Sequence, residues 1–126
     1  MLDHLRQHAM EALALPRSAI LATSGPSGLQ ADAFPCEAMG LRLFLLVPGT
    51  SEHLVNLERD PSVVVTTEEW RLLGIASVLP PGQHPPELAL SSQPGAPWSR
   101  VIEVRATRLD FGRRDGWGYR ETLALE

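Results

Sequence analysis

Between residues 18 and 79 the chain is cut by Gly, Pro, Asn and Asp into short apolar runs, and residues 52–59 alone in that span have helical spacing. Runs so short and so rich in Val, Ile, Leu and Thr read as strands, because a helix needs a longer periodic stretch to bury one face. Strands at close spacing joined by turns, with few helices, predict a mainly β fold built as a small antiparallel barrel. A chain of 126 residues supplies one domain, residues 1–126, with a single core.

In order, residues 2–15 place Leu2, Leu5, Ala9 and Leu13 on one helical face, and Pro16 ends the helix. His4 and His8 stand one turn apart with Glu11 nearby, a spacing open to a metal, although a solvated polar face explains it as well. Residues 18–24 and 29–39 form a predicted hairpin about the turn Gly25-Pro26-Ser27-Gly28. Pro35 inside the second strand implies an edge or a bulge, and Cys36 beside it reads as a packing residue with no base next to it. Residues 41–47 are almost continuously apolar and so are expected to be buried on both faces. After the helix at 52–59 come strands at 62–67 and 70–79. In the second of these, Gly74-Ile75-Ala76 predicts a bend or a close backbone approach. Residues 80–97 hold six of the 11 prolines and form a long connection. A strand at 98–109 and a glycine-rich tail at 110–126 complete the chain, with Trp117 and Tyr119 expected to pack rather than stand in water.

Composition excludes several functions. All 11 cations are arginine, so lysine-dependent phosphate loops and Schiff-base chemistry are out. The net charge of −4 and the scattered arginines lack the footprint of a nucleic-acid binder. One cysteine, no basic-then-apolar leader and no long apolar run lead to the expectation of a cytoplasmic protein that neither uses disulfides nor enters a membrane.

The chemistry-bearing stretch is Pro48-Gly49-Thr50-Ser51 at the start of the 52–59 helix. A strand feeding a hydroxyl-capped helix start leaves backbone N–H groups without intrahelical partners at the positive end of the helix dipole. That is the outline of an anion pocket.

The order ATSGPSG, LRLFLLVPGTSEHLVNLERDPSVVV and WRLLGIASVL resembles the FMN-binding split-barrel proteins related to pyridoxamine 5′-phosphate oxidase, closely over residues 18–79 and loosely over 98–109. The resemblance implies a six-stranded antiparallel split barrel acting as a homodimer, with FMN in clefts at the subunit interface. It implies cofactor contacts from Pro35, Cys36, Val47, Thr50, Ser51, His53, Asn56 and Trp117, with Arg120 near the rim. Glu52 and His53 stand where flavin-binding members commonly carry Arg and Lys, and a carboxylate roughly 5 Å from a phosphate costs about 1–3 kcal/mol at intermediate dielectric. Arg42, or an arginine of a second subunit, is a candidate to compensate, and His53 a candidate phosphate contact. The Ser51-Glu52-His53 variant also resembles the haem-utilisation branch of the fold.

Three functions follow. A flavin-dependent oxidoreductase acting on a small molecule needs no protein nucleophile, because the cofactor carries the chemistry. A split-barrel dimer without flavin would serve as a binding or interaction module, a reading favoured by Glu52 and His53. A dimer holding haem or another planar ligand is the third.

Overall fold

A computed structural model describes residues 2–114 and 117–125; the side chains of Leu2, Ser91 and residues 113–120 lie outside the described set. The first helix, α1 (Leu2–Ala14), buries Ala9 and Leu13 completely, and the Trp70 indole Nε1 donates to the Ala12 carbonyl at 3.0 Å. Then come β1 (Ser18–Thr23), β2 (Gln30–Met39), β3 (Arg42–Pro48), α2 (Glu52–Arg59), β4 (Ser62–Thr66), β5 (Trp70–Val78), β6 (Ser99–Arg114) and β7 (Trp117–Ala124).

The sheet order is β3-β2-β1-β4-β5-β6-β7, and pairing of β3 with β6 closes the first six strands into a barrel with β7 outside. This is the six-stranded antiparallel barrel expected from the sequence. Alternation along each strand supplies its core: Leu21, Leu43, Leu45, Val65, Leu72, Ile102 and Val104 are fully buried in one cluster.

Pro35 marks the point where β2 changes partner. Residues up to Pro35 pair with β1, and residues from Cys36 onward pair with β3. Each half of β2 therefore has one edge on which the missing N–H costs no ladder bond. Gly74 makes the close approach its sequence suggested: a Cβ there would lie 2.5 Å from the Arg105 carbonyl oxygen, and the β5–β6 register shifts between Leu73 and Gly74.

The apolar run of β3 is buried on both faces, but the outer face is covered by its own chain. Phe44 and Leu46 pack with Leu88, Leu90 and Val101, so the proline-rich connection acts as a strap over β3 and β6. Two 3-10 turns, Ala89–Ser92 and Ala96–Trp98, order it, and Glu37 Oε1 accepts from the Ala89 and Leu90 N–H groups at 2.8 and 3.2 Å.

The C-terminal stretch differs from the expected tail. β6 runs on to Arg114 and returns as β7, pairing Leu109 with Leu123, and Leu109, Phe111 and Leu123 are all buried. Glycine and charged residues interleaved with these apolar positions hid the strand in the sequence. No helix among the described residues is long and apolar enough to cross a membrane.

Candidate functional site

The turn between β3 and α2 builds the site. Ser51 is the N-cap of α2, its Oγ accepting from the His53 N–H at 3.2 Å, while the Asp60 N–H closes the other end on the Asn56 carbonyl. Glu52 is exposed in the first turn, where it complements the helix dipole.

The inner face of α2 is polar. The His53 ring is 1% exposed, with Nδ1 2.7 Å from the Thr23 hydroxyl and Nε2 2.8 Å from Asp32 Oδ2. A carboxylate only accepts, so Nε2–H donates to Asp32, and in that tautomer Nδ1 accepts from the Thr23 hydroxyl. Thr23 Oγ1 in turn accepts from Asn56 Nδ2 at 3.1 Å. The Asn56 amide also donates to the Gly28 carbonyl at 2.9 Å and accepts from the Ser27 N–H at 2.9 Å. Helix α2 is thus bolted to the β1–β2 hairpin by a satisfied buried network. Gly25 leaves room for it, since a Cβ there would lie 2.8 Å from Asn56 Oδ1.

Beside the turn lies a cavity of about 450 Å³ lined by Thr50, Ser51, Leu54, Val55, Glu58, Val78 and Arg100, with Gly49 at its edge. Arg100 enters from β6, directly opposite Val47 in the ladder. Its Nη2 donates to the Leu79 carbonyl at 2.9 Å, while its Nε is buried with no hydrogen-bond partner. An orphaned guanidinium N–H beside two hydroxyls and a helix start has the donor character an anion requires. Glu58 lines the same cavity, seven residues further along the helix and so about 10 Å from Ser51 at 1.5 Å per residue.

The residues implied by the family resemblance divide into two groups. Thr50 and Ser51 line the cavity. Pro35 is half-buried in β2, whereas Cys36, Val47, His53 and Asn56 are interior. The Cys36 thiol packs at 3.6 Å from the Pro16 carbonyl, and burial pushes its pKa up to about 11. The Trp117 and Arg120 side chains fall outside the described residues. Arg42 is turned away, held by Glu103 at 2.8 and 3.1 Å and lying over the Phe44 ring.

Sequence reasoning missed Thr23, Asp32 and Arg100. All three are placed by long-range strand pairing, and no local spacing marks them. The His4 and His8 rings meet at a 53° tilt with centroids 4.2 Å apart, and His8 faces Glu121 at 3.6 Å. Among the described residues no group of three or more His, Cys, Asp or Glu side chains is placed to hold a metal ion.

No family model matches the chain, and no curated protein matches its sequence. Solved structures do match its fold. General Stress Protein 26 from Bacillus anthracis superposes with a TM-score of 0.69 at 15% identity, over 97% of this chain and 99% of that one. A putative pyridoxamine 5′-phosphate oxidase from Listeria innocua gives a TM-score of 0.64 at 14% identity, over 85% of this chain and 97% of that one. A haem binding protein from Mycobacterium smegmatis gives 0.63 at 19% identity, over 96% of this chain and 56% of that one. The barrel is therefore the split barrel of pyridoxamine 5′-phosphate oxidase-like proteins, and identities this low speak for the fold alone.

Proposed function

We propose that this protein is a split-barrel flavoprotein that binds FMN, or a closely similar phosphate-bearing planar cofactor, and acts as an oxidoreductase on a small molecule. The observation that carries the reading is the buried, unpartnered Arg100 Nε beside the Thr50-Ser51 turn. The phosphate would be held by the Thr50 and Ser51 hydroxyls and the Arg100 guanidinium, at the positive end of the α2 dipole. In this reading Arg100 supplies the charge that Glu52 and His53 do not, and Glu52 is absent from the cavity lining. Leu54, Val55 and Val78 offer an apolar wall that excludes water from the bound group, and Glu58 at the far end accepts from hydroxyl or N–H donors. Bound flavin supplies hydride or electron transfer; the chain supplies binding and orientation.

The reading includes a homodimer. The outer surface of β1, β4 and β5 carries Ile20, Val64, Leu73 and Ile75, with Ala22 paired to Val64 and Val64 to Leu73. Ile20 is 44% exposed, and a groove of about 340 Å³ opens on the same face beside the exposed Leu29. An uncovered apolar sheet face favours a second copy.

A flavin-free binding module is the second reading, supported by the interior placement of Cys36, Val47, His53 and Asn56. A visible spectrum of the purified full chain, followed by titration with FMN and then haemin, decides between them. Oxidised-flavin absorbance, or saturable uptake of FMN, is the expected result. A Soret band on haemin addition without flavin uptake would favour haem. A chain that takes up neither would leave the binding module.

A further inference from the structure

Helix α1, the β2–β3 turn, β6 and the end of β7 meet around a cavity of about 460 Å³ lined chiefly by Arg6, Leu41, Arg42, Arg105, Leu123 and Leu125. Three of the 11 arginines of a chain with net charge −4 thus converge on one opening, and no carboxylate is among its lining residues. Strand register forces two of them together, because Arg42 stands directly opposite Arg105 in the β3–β6 ladder. Like charges so placed have Cβ atoms about 4.5–5.5 Å apart and repel. Glu103 relieves only one of the pair, holding Arg42 Nε and Nη2 at 2.8 and 3.1 Å. Arg6 and Arg105 make no hydrogen bond or ion pair among the described residues.

We infer that this cavity binds a small amphiphilic anion. Its carboxylate or phosphate head is held by Arg6 and Arg105 beside Arg42, and its apolar body lies against Leu41, Leu123 and Leu125. The site shares no lining residue with the cavity at Thr50 and Ser51 and does not depend on what that cavity holds. The planar fork of a guanidinium matches two oxygens of either head group, and an anion set between Arg42 and Arg105 turns the repulsion of the opposed pair into two attractions. The leucines supply what a bare inorganic anion would not use: Leu123 is buried, while Leu41 and Leu125 are half-buried and keep apolar surface beside the charges. Much of the frame is ordered before a ligand arrives. The Leu125 N–H donates to the Thr107 carbonyl at 2.8 Å, Leu123 pairs with Leu109, and Glu103 pins Arg42, so binding has chiefly the Arg6 and Arg105 side chains to immobilise. The volume suits a ligand of small-molecule size.

The test is calorimetric titration of the full chain with octanoate, octyl phosphate, octanol and inorganic phosphate. The first two share a chain and differ in the head; octanol keeps the chain without the charge, and inorganic phosphate keeps the charge without the chain. At least one of the two amphiphiles should bind at least about tenfold more tightly than octanol and inorganic phosphate, and the tighter of the two identifies the head group. Arg6→Gln and Arg105→Gln should each weaken that binding by about fivefold, the double variant should weaken it more, and added salt should weaken it in wild type. Both side chains are exposed, and Arg105→Gln removes a like-charge pair, so the melting temperature of the ligand-free variant should not fall. That readout separates lost binding from lost folding. Amphiphiles that bind no more tightly than octanol, or equally well to the double variant, would overturn the inference. Inorganic phosphate binding as tightly as octyl phosphate would overturn it too, since the leucines would then have no part. None of these outcomes depends on FMN uptake.

Discussion

Asn56 shows how a residue can be legible in the sequence while its task is not. It lies in the LRLFLLVPGTSEHLVNLERDPSVVV stretch that carries the family resemblance, and the resemblance implied a cofactor contact. In the structure it is fully buried and makes three hydrogen bonds to the β1–β2 hairpin and Thr23, so its energetic role is to seat α2. Asn56→Ala would orphan the Ser27 N–H and the Gly28 carbonyl, and should cost about 2–4 kcal/mol in chemical denaturation. A loss below about 0.5 kcal/mol would mean that the network holds nothing. His53 was legible as a candidate phosphate contact, but Thr23 and Asp32 come from strands distant in sequence, so its neighbours could not be read. Cys36 fits its sequence reading as a packing residue. With its pKa raised to about 11 by burial, the thiol stays protonated at pH 8, and alkylation of the native protein should be slow and accelerate only as denaturant unfolds the chain. Fast labelling without denaturant would contradict the placement.

At the scale of elements, β6 and β7 carry the largest departure from expectation. Asp110 on β6 is 1% exposed and is held by Arg71 of β5 at 2.8 Å, Arg108 at 3.0 Å and Thr122 of β7 at 2.8 Å. Burial alone would push its carboxyl up, but the hydrogen bonds from Arg71, Thr122 and Arg108 outweigh it and hold the group below the usual carboxylate range. Its contribution to stability is therefore complete above the unfolded-chain value of about 3.9 and is lost as pH falls through the lower folded value. Acid titration of the melting temperature should fall in that window, and Asp110→Asn should flatten the fall; an unchanged acid profile would show that the cluster does not couple to folding. This hairpin was hidden because its inward positions, Leu109, Phe111 and Leu123, are interleaved with glycine and charge. By contrast, α1, the six barrel strands and α2 were all legible, because each carries its own apolar period and is bounded by proline or glycine.

For the molecule as a whole, the proline-rich strap changes where a second subunit is expected. The apolar outer face of β3, expected from the sequence to be buried, is covered by Leu88 and Leu90 of the same chain. The uncovered apolar surface is instead on β1, β4 and β5, so sedimentation should give a dimer, and Ile20→Glu should give a folded monomer. A dimer unaffected by Ile20→Glu would move the interface elsewhere. If Arg100 completes an anion pocket that the Thr50-Ser51 turn begins, an FMN titration of wild type beside Arg100→Gln, at low and high salt, reads its contribution. Wild type should bind saturably, with affinity lowered at least about tenfold by loss of the guanidinium and lowered further by salt. Equal affinity in the two proteins would contradict it.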